Sequence, residues 1–572
     1  MYKQESKQDA WLERSLLIGI LILVLFVSFR IAKNKGFLDK VSDIKIEHLN
    51  RKQTEDLNKL CKVWGFVKYY HPKVISASVN WDYELFRVMP KVIEAEDSNE
   101  VDRILYDWIN ALGEVKKGIE RDNEDVRMAP DIKWIKDDHF LSKELSDLLV
   151  KVSETYISKR NNAYASFEKN SMYVDFKNEK PYPNMRYDDD GYKILSLFRY
   201  WNIIEYYYPY RTVMGEDWDG VLTEFIPKFV ECKDAISYKL TVAELTTKIH
   251  DSHAGVKDYS MGLNRYWGQN IAPIRFQLVE GKVVITDKVE KYAMDSSVQI
   301  GDIVLKINDK DIFDVIKEKS KYVSSSNDKR IVKDLLFYLF RTSDNHLTLT
   351  LQREGKEIKE NIHCYNATNM FESNGESHKR LEGNIGYINP GALEEGEIDR
   401  IMSYYKDTKG LIIDLRYYPS DFIVYSLGSY LMPQKVAFSQ VTRANPSVPG
   451  EFIFDEAIEV GDDNPNYYKG KVIIIINELT QSQAEFTTMA FRKAPRAEVI
   501  GSHSSGTDGN IAVFSLPGGI ETVITGIGVY YPDKSETQRG GLKPDIYVEP
   551  TIQAIKEGRD ELIEKAVERI NN

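Results

Sequence analysis

Cysteine is nearly absent: three in 572 residues, Cys61, Cys232 and Cys364. They lie far apart, so they build no disulfide framework and fit no metal or redox spacing. Positive charge is not in excess either. The formal net charge is −12, and such a chain lacks the basic footprint that a nucleic-acid partner requires. No metal-ligand or cofactor motif appears, so no cofactor and no metal are expected. Long apolar runs are scarce. Residues 15–29 (SLLIGILILVLFVSF) carry no charge but fall short of the roughly 20 residues of a spanning helix. Continuing to Ala32, with Arg30 reaching back to the interface, extends the span to 15–32. No small-x-small cleavage site follows. The expectation is an uncleaved single-pass N-terminal anchor. Lys and Arg flank both ends, so charge alone does not orient it.

What is present is enough apolar residue (42%) for buried cores, and a length that suits three or four domains. A helical region is expected over 45–255. It contains a duplication: at an offset of 137, Trp64 matches Trp201, Tyr69 matches Tyr206, Pro72 matches Pro209, and Trp81-Asp82 matches Trp218-Asp219. The two units span about 50–118 and 190–255. Two copies are too few for a solenoid, and the aromatic stripes read as packing. Residues 122–183 between them are polar and read as a linker with some helix. The second unit ends in Asp251-Ser252-His253-Ala254-Gly255, where the first has Val115 and Lys116 in place of Ser252 and His253. Histidine titrates near neutral pH and is the usual general base. That asymmetry singles out His253.

From 266 to 366 the pattern changes to short strands, including period-two HLTLTLQ at 346–352. The element Gly301-Asp302-Ile303-Val304-Leu305-Lys306-Ile307-Asn308 resembles the one carried by bacterial PDZ domains. That resemblance implies a module that adds an extended peptide to a sheet edge and holds its carboxylate, with Gly301 and Asp302 at the peptide-binding loop. Residues 380–556 alternate strands and helices, as in an α/β layer with a largely parallel sheet, and 557–572 close the chain as a helix. Within this layer, 472–476 is an unbroken β-branched run, typical of a strand covered on both faces. Ser482 follows where that strand hands over to a helix. Unpaired N–H groups and the helix dipole favour an anion there, though serine is also a favoured N-cap. The fold class is thus multidomain α+β.

The order of these elements carries a resemblance. Asp251-Ser252-His253-Ala254-Gly255, the PDZ-like module, the strand at 411–416, Asn477-Glu478-Leu479-Thr480-Gln481-Ser482-Gln483-Ala484-Glu485 and Gly541-x-x-Pro544-Asp545-Ile546 occur in sequence. Together they resemble the tail-specific (C-terminal processing) serine proteases, in the branch that includes the tricorn core. The resemblance implies a core related to the crotonase and Clp protease folds, a PDZ domain at the site, and peptide or protein substrates. It also implies an extracytoplasmic catalytic region behind the anchor. Ser482 takes the nucleophile's place. The Gly-rich loop 501–509 has no lysine, which removes a Ser–Lys dyad and leaves His253 as base, with Ser252 in support. Glu536 is the nearest acid to orient the base; if the family position falls on Gln538, an amide does so instead. The oxyanion donors would be the N–H groups of Gln483 and Ser420. Here the chain departs from the family: Asp414-Leu415-Arg416 runs into Tyr417-Tyr418-Pro419-Ser420-Asp421, without the usual glycines, and Pro419 has no N–H. Removing one oxyanion donor costs about 100- to 1,000-fold. A peptide-binding scaffold with weak or no catalysis therefore stands beside the peptidase reading, as does another acyl hydrolase.

Overall fold

The computed structural model describes residues 42–118, 125–155, 164–167, 173–257, 266–293, 296–335, 338–366 and 375–572. Among them no helix is long and apolar enough to cross a membrane. The single-pass anchor, and the extracytoplasmic placement drawn from it, are therefore not upheld; residues 15–32 lie outside the described residues.

The helical region is built twice. Helices α1 (Arg51–Tyr70), α2 (Trp81–Glu94) and α3 (Ser98–Asn110) recur as α4 (Asp190–Tyr207), α5 (Trp218–Glu231) and α6 (Ala235–Thr247) at the sequence offset. A reciprocal tryptophan exchange locks each copy. Trp64 Nε1 donates to Trp81 O (3.2 Å) and Trp81 Nε1 to Trp64 O (3.0 Å). Trp201 and Trp218 repeat this at 2.8 and 3.2 Å. An indole N–H needs a partner when buried, so each ring both fills the core and ties two helices together. The polar segment between the copies is more than a linker. Glu179 is 2% exposed and pairs with Lys68 (2.6 Å) and Arg199 (2.8 Å). Such a buried charge is tolerated only with partners.

After α6 come the short strand β1 (Gly255–Lys257) and a β-rich unit with its own core. The strands of that unit are β2 (Ile274–Val279), β3 (Lys282–Lys288), β4 (Ile303–Ile307), β5 (His346–Arg353) and β6 (Lys356–His363). They pair in the order β6-β5-β4-β3-β2, which leaves one side of β2 as a sheet edge. A single helical turn, α7 (Ile331–Asp334), packs beside β2.

The C-terminal layer holds β7 (His378–Leu381), β8 (Ile385–Ile388), β9 (Gly410–Asp414), β10 (Val436–Ala444), β11 (Lys471–Ile476) and β12 (Ala497–Gly501). Then come β13 (Ile511–Leu516), β14 (Ile520–Thr525), β15 (Gly528–Tyr530) and β16 (Ile546–Tyr547). The main sheet runs β7-β8-β9-β11-β12-β16, and all neighbours are parallel except β7 with β8. Strand β11 is buried on both faces, as its β-branched run implies. Ile474 and Ile476 pack in one cluster with Leu411 and Phe491; Ile473 and Ile475 pack in another with Leu562, Ala566 and Ile570. The last three belong to the closing helix (Glu561–Asn571). The helix expected over 557–572 forms at Glu561–Asn571, and a separate short helix, Ile552–Lys556, precedes it, with Gly558 at φ +68° between the two.

Candidate active site

Ser482 sits at the N-terminus of α8 (Gln483–Phe491), directly beyond β11. The Glu485 carboxylate reaches back to Ser482 N–H at 3.1 Å, as in a capping box. Its backbone, however, is not that of an ordinary cap. N-caps lie in the extended region, whereas Ser482 has φ 56° and ψ −121°. That combination belongs to the first central position of a type II′ turn and suits glycine. A non-glycine residue there stores strain, of a kind that collects at functional sites.

The turn is held by Glu485, which is 1% exposed. Its carboxylate accepts the N–H groups of Ser482 (3.1 Å), Gly506 (2.8 Å) and Thr507 (3.0 Å), and the Ser504 hydroxyl. Burial pushes its pKa up, and these four donors pull the other way. The Thr507 carbonyl in turn accepts Ser482 N–H at 2.9 Å. One buried acid thus ties the serine to the Gly-rich loop.

His253 reaches the same place from the helical region. Strand β1 pairs antiparallel with β14, Gly255 opposite Val523. Continuing that register two residues back sets His253 against Thr525. His253 Nδ1 lies 2.8 Å from Thr525 Oγ1. Asp251 braces both residues, accepting His253 N–H (2.9 Å) and Thr525 N–H (3.1 Å). Burial lowers the His253 pKa below its ordinary value; the Arg330 charge adds to this, and Asp251 and Asp334 oppose it. His253 and Ser482 both line one cavity of about 820 Å³. No direct hydrogen bond joins them in this state.

Residues 384–548 match the peptidase family S41 profile. This segment is an S41 peptidase domain. The tricorn protease of Thermoplasma acidophilum is 23% identical over 198 residues, which is 34% of this chain and 17% of that protein. Mature CPAF superposes with a TM-score of 0.52 at 14% identity, covering 67% of this chain and 98% of that one. The photosystem II D1 C-terminal processing protease covers 65% of this chain and 98% of its own, with a TM-score of 0.39 and 13% identity.

The structure places the other expected residues differently. Ser252 turns away from the imidazole. Its hydroxyl bonds Asp334 Oδ2 (2.8 Å) and Ser326 Oγ (2.9 Å) in the β-rich unit. Glu536 does not reach His253; it pairs with Arg127, and Thr525 occupies the ring nitrogen instead. Gln538 is buried beside the Tyr208 hydroxyl, and no hydrogen bond joins it to His253. Ser420 N–H is committed to Pro390 O at 3.0 Å, so it offers nothing to an oxyanion. The N–H of Gln483, in the first helical turn, donates to no carbonyl among the described residues. Its side chain ties the loop down, Nε2 to Asp421 O at 2.6 Å.

The Gly301-Asp302 pair is structural. Asp302 receives Arg353 Nε and Nη2, each at 2.7 Å, and Gln299 N–H at 2.8 Å. Gly301 turns at φ +89° against Lys556. Neither is open to a peptide. One link from this unit to the S41 domain runs through Arg330. It pairs with Asp334 (2.8 Å) and donates to Glu478 O and Gln481 Oε1 on the serine's own loop. Sequence reasoning missed Glu485, Thr525 and Arg330. Only Glu485 left a signal, the Ser-x-x-Glu spacing of a capping box.

Proposed function

We propose that this protein is a serine peptidase that hydrolyses peptide bonds in protein or peptide tails by acyl transfer from Ser482 with His253 as base. The observation that carries this reading is the strained Ser482 turn of the S41 segment and the His253 ring opening onto one cavity. With Nδ1–H donated to Thr525 Oγ1, the other ring nitrogen is left to take the Ser482 proton. Oγ then attacks the carbonyl carbon, and the Gln483 N–H and helix dipole hold the developing oxyanion. Imidazolium passes the proton to the leaving amine. Water, activated by the same ring, releases the acyl group. The β-rich unit serves as a PDZ-like module, its β2 edge taking an extended tail by strand addition. The C-terminal core follows the crotonase and Clp protease pattern.

One observation favours a second reading. Ser420 N–H is spent on Pro390 O, which leaves a single evident oxyanion donor and suits a peptide-binding scaffold. A fluorophosphonate probe separates the two. Labelling of the intact protein, lost in Ser482→Ala and weakened in His253→Ala, is the peptidase outcome. No labelling at all is the scaffold outcome.

A further inference from the structure

The loop that departs most from the family pattern also lines the cavity. Tyr418, Phe422 and Tyr425 border it and are 54%, 46% and 50% exposed. Aromatic surface on this scale is costly to leave in water unless something covers it. These rings are not loose. Phe422 stacks on Phe486 of α8, with centroids 6.2 Å apart and planes at 27°, and meets Tyr425 at 5.7 Å. Phe486 in turn rests on Phe438 at 4.9 Å. The hydrogen bond from Gln483 Nε2 to Asp421 O fixes the loop to the helix that begins beside Ser482. The lining also holds the aliphatic side chains of Val441, Ile458, Ile527 and Val529.

Charge is almost missing from this lining. Among the described residues no lysine, arginine or glutamate contributes to it, and Asp508 is the one carboxylate. Asp508 Oδ1 accepts Gly509 N–H at 2.7 Å, and Oδ2 is closed off from solvent. A charged side chain entering here would lose water, and a cation would find only the unpartnered Asp508 Oδ2, which makes entry unfavourable. A volume of about 820 Å³ is ample for a large side chain together with its backbone.

We propose that the loop around Phe422 and Tyr425 is the wall of a substrate subsite that selects a large apolar or aromatic side chain next to the scissile bond. This rests on the peptidase reading of Ser482 and His253 and names the substrate class for it.

The test uses the full chain carrying Ser482→Ala, so that peptides bind without turnover. Fluorescently labelled hexapeptides, identical except for Phe, Leu, Ala, Lys or Glu at one central position, are titrated by anisotropy. Phe and Leu peptides should bind about ten- to a hundredfold more tightly than the Ala peptide, with Lys and Glu weakest. Adding Phe422→Ala should cut the Phe-over-Ala ratio by about tenfold while thermal unfolding stays unchanged, because the ring is half-exposed. Equal binding of Ala or Lys and Phe peptides overturns the subsite. So does an unchanged ratio in Phe422→Ala, or no binding of any peptide. Fluorophosphonate labelling of the unsubstituted protein reads the chemistry separately. Labelling without a Phe preference removes the subsite and leaves the peptidase. A Phe preference without labelling removes the peptidase and leaves an apolar peptide groove.

Discussion

His253 Nδ1 stands 2.8 Å from Thr525 Oγ1, so a hydroxyl on an adjacent strand, not a carboxylate, orients the ring. Replacing it with the near-isosteric valine removes that bond and little else. Thr525→Val should lower kcat about tenfold with KM little changed, the equivalent of one hydrogen bond of about 1 kcal/mol. Glu536→Gln should stay within about twofold, since Glu536 faces Arg127 and a half-exposed ion pair is worth little. Steady-state kinetics on one peptide decides between the two. A collapse in Glu536→Gln with a normal Thr525→Val would restore the acid as the orienting group.

The acid limb of activity should lie below the ordinary histidine value of about 6.5, because burial and then Arg330 hold the folded His253 pKa down. The neutral ring is the working base, so kcat/KM should stand above half of its plateau at pH 6.5 and fall at lower pH. Stability has the same sign. Between the folded pKa and 6.5 the unfolded chain binds more protons, so stability increases with pH through that window. The contribution is lost as pH falls toward the folded value. A pH–rate profile whose acid limb sits above 6.5 would contradict this.

Ser482 should be a site where activity and stability trade against each other. Glycine accepts φ 56° and ψ −121° without a Cβ penalty; alanine does not. Ser482→Gly should unfold at a higher temperature than Ser482→Ala, with a difference of about 1 kcal/mol. Neither variant should label with a fluorophosphonate. Equal melting points would show that the turn is unstrained.

Arg330 should couple the β-rich unit to the serine's loop. Arg330→Met leaves Asp334 and the Gln481 side chain without their cation, and the loss of a buried pair costs about 3 kcal/mol. Hydrogen exchange over residues 477–483 should accelerate in this variant. Unchanged exchange there would mean that Arg330 only stabilises its own unit.

Asp302 should matter for folding and not for peptide contact. Asp302→Asn weakens the bidentate Arg353 pair inside the β-rich unit. Calorimetry should show a loss of about 2–3 kcal/mol, with peptide affinity preserved wherever the unit remains folded. Selective loss of peptide binding at full stability would return Asp302 to the binding role.

Much of the architecture was legible in the chain. The tryptophan and proline spacing located both helical copies, because each indole must fill a core and find a carbonyl, and that demand recurs with the sequence. The run at 472–476 announced a strand covered on both faces, and Ser482 stood where its helix begins. The strands β10, β13 and β14 were less legible. They mix polar and apolar residues and are buried by the helical region or by other strands, so no local period marks them.

Sequence by itself determined which groups exist: one serine at a strand-to-helix turn, one histidine kept in a single copy of a duplicated unit, a loop without lysine, and a second loop with Ser420 and Asp421 in place of glycines. Tertiary structure alone decided who meets whom. The pairing of β1 with β14 chose Thr525 as the partner of His253. The fold of the 417–421 loop spent Ser420 N–H on Pro390 O, and Arg127 claimed Glu536. Each of these contacts joins residues far apart in the chain, and a hydrogen bond depends on distance and direction in space, which residue order does not encode.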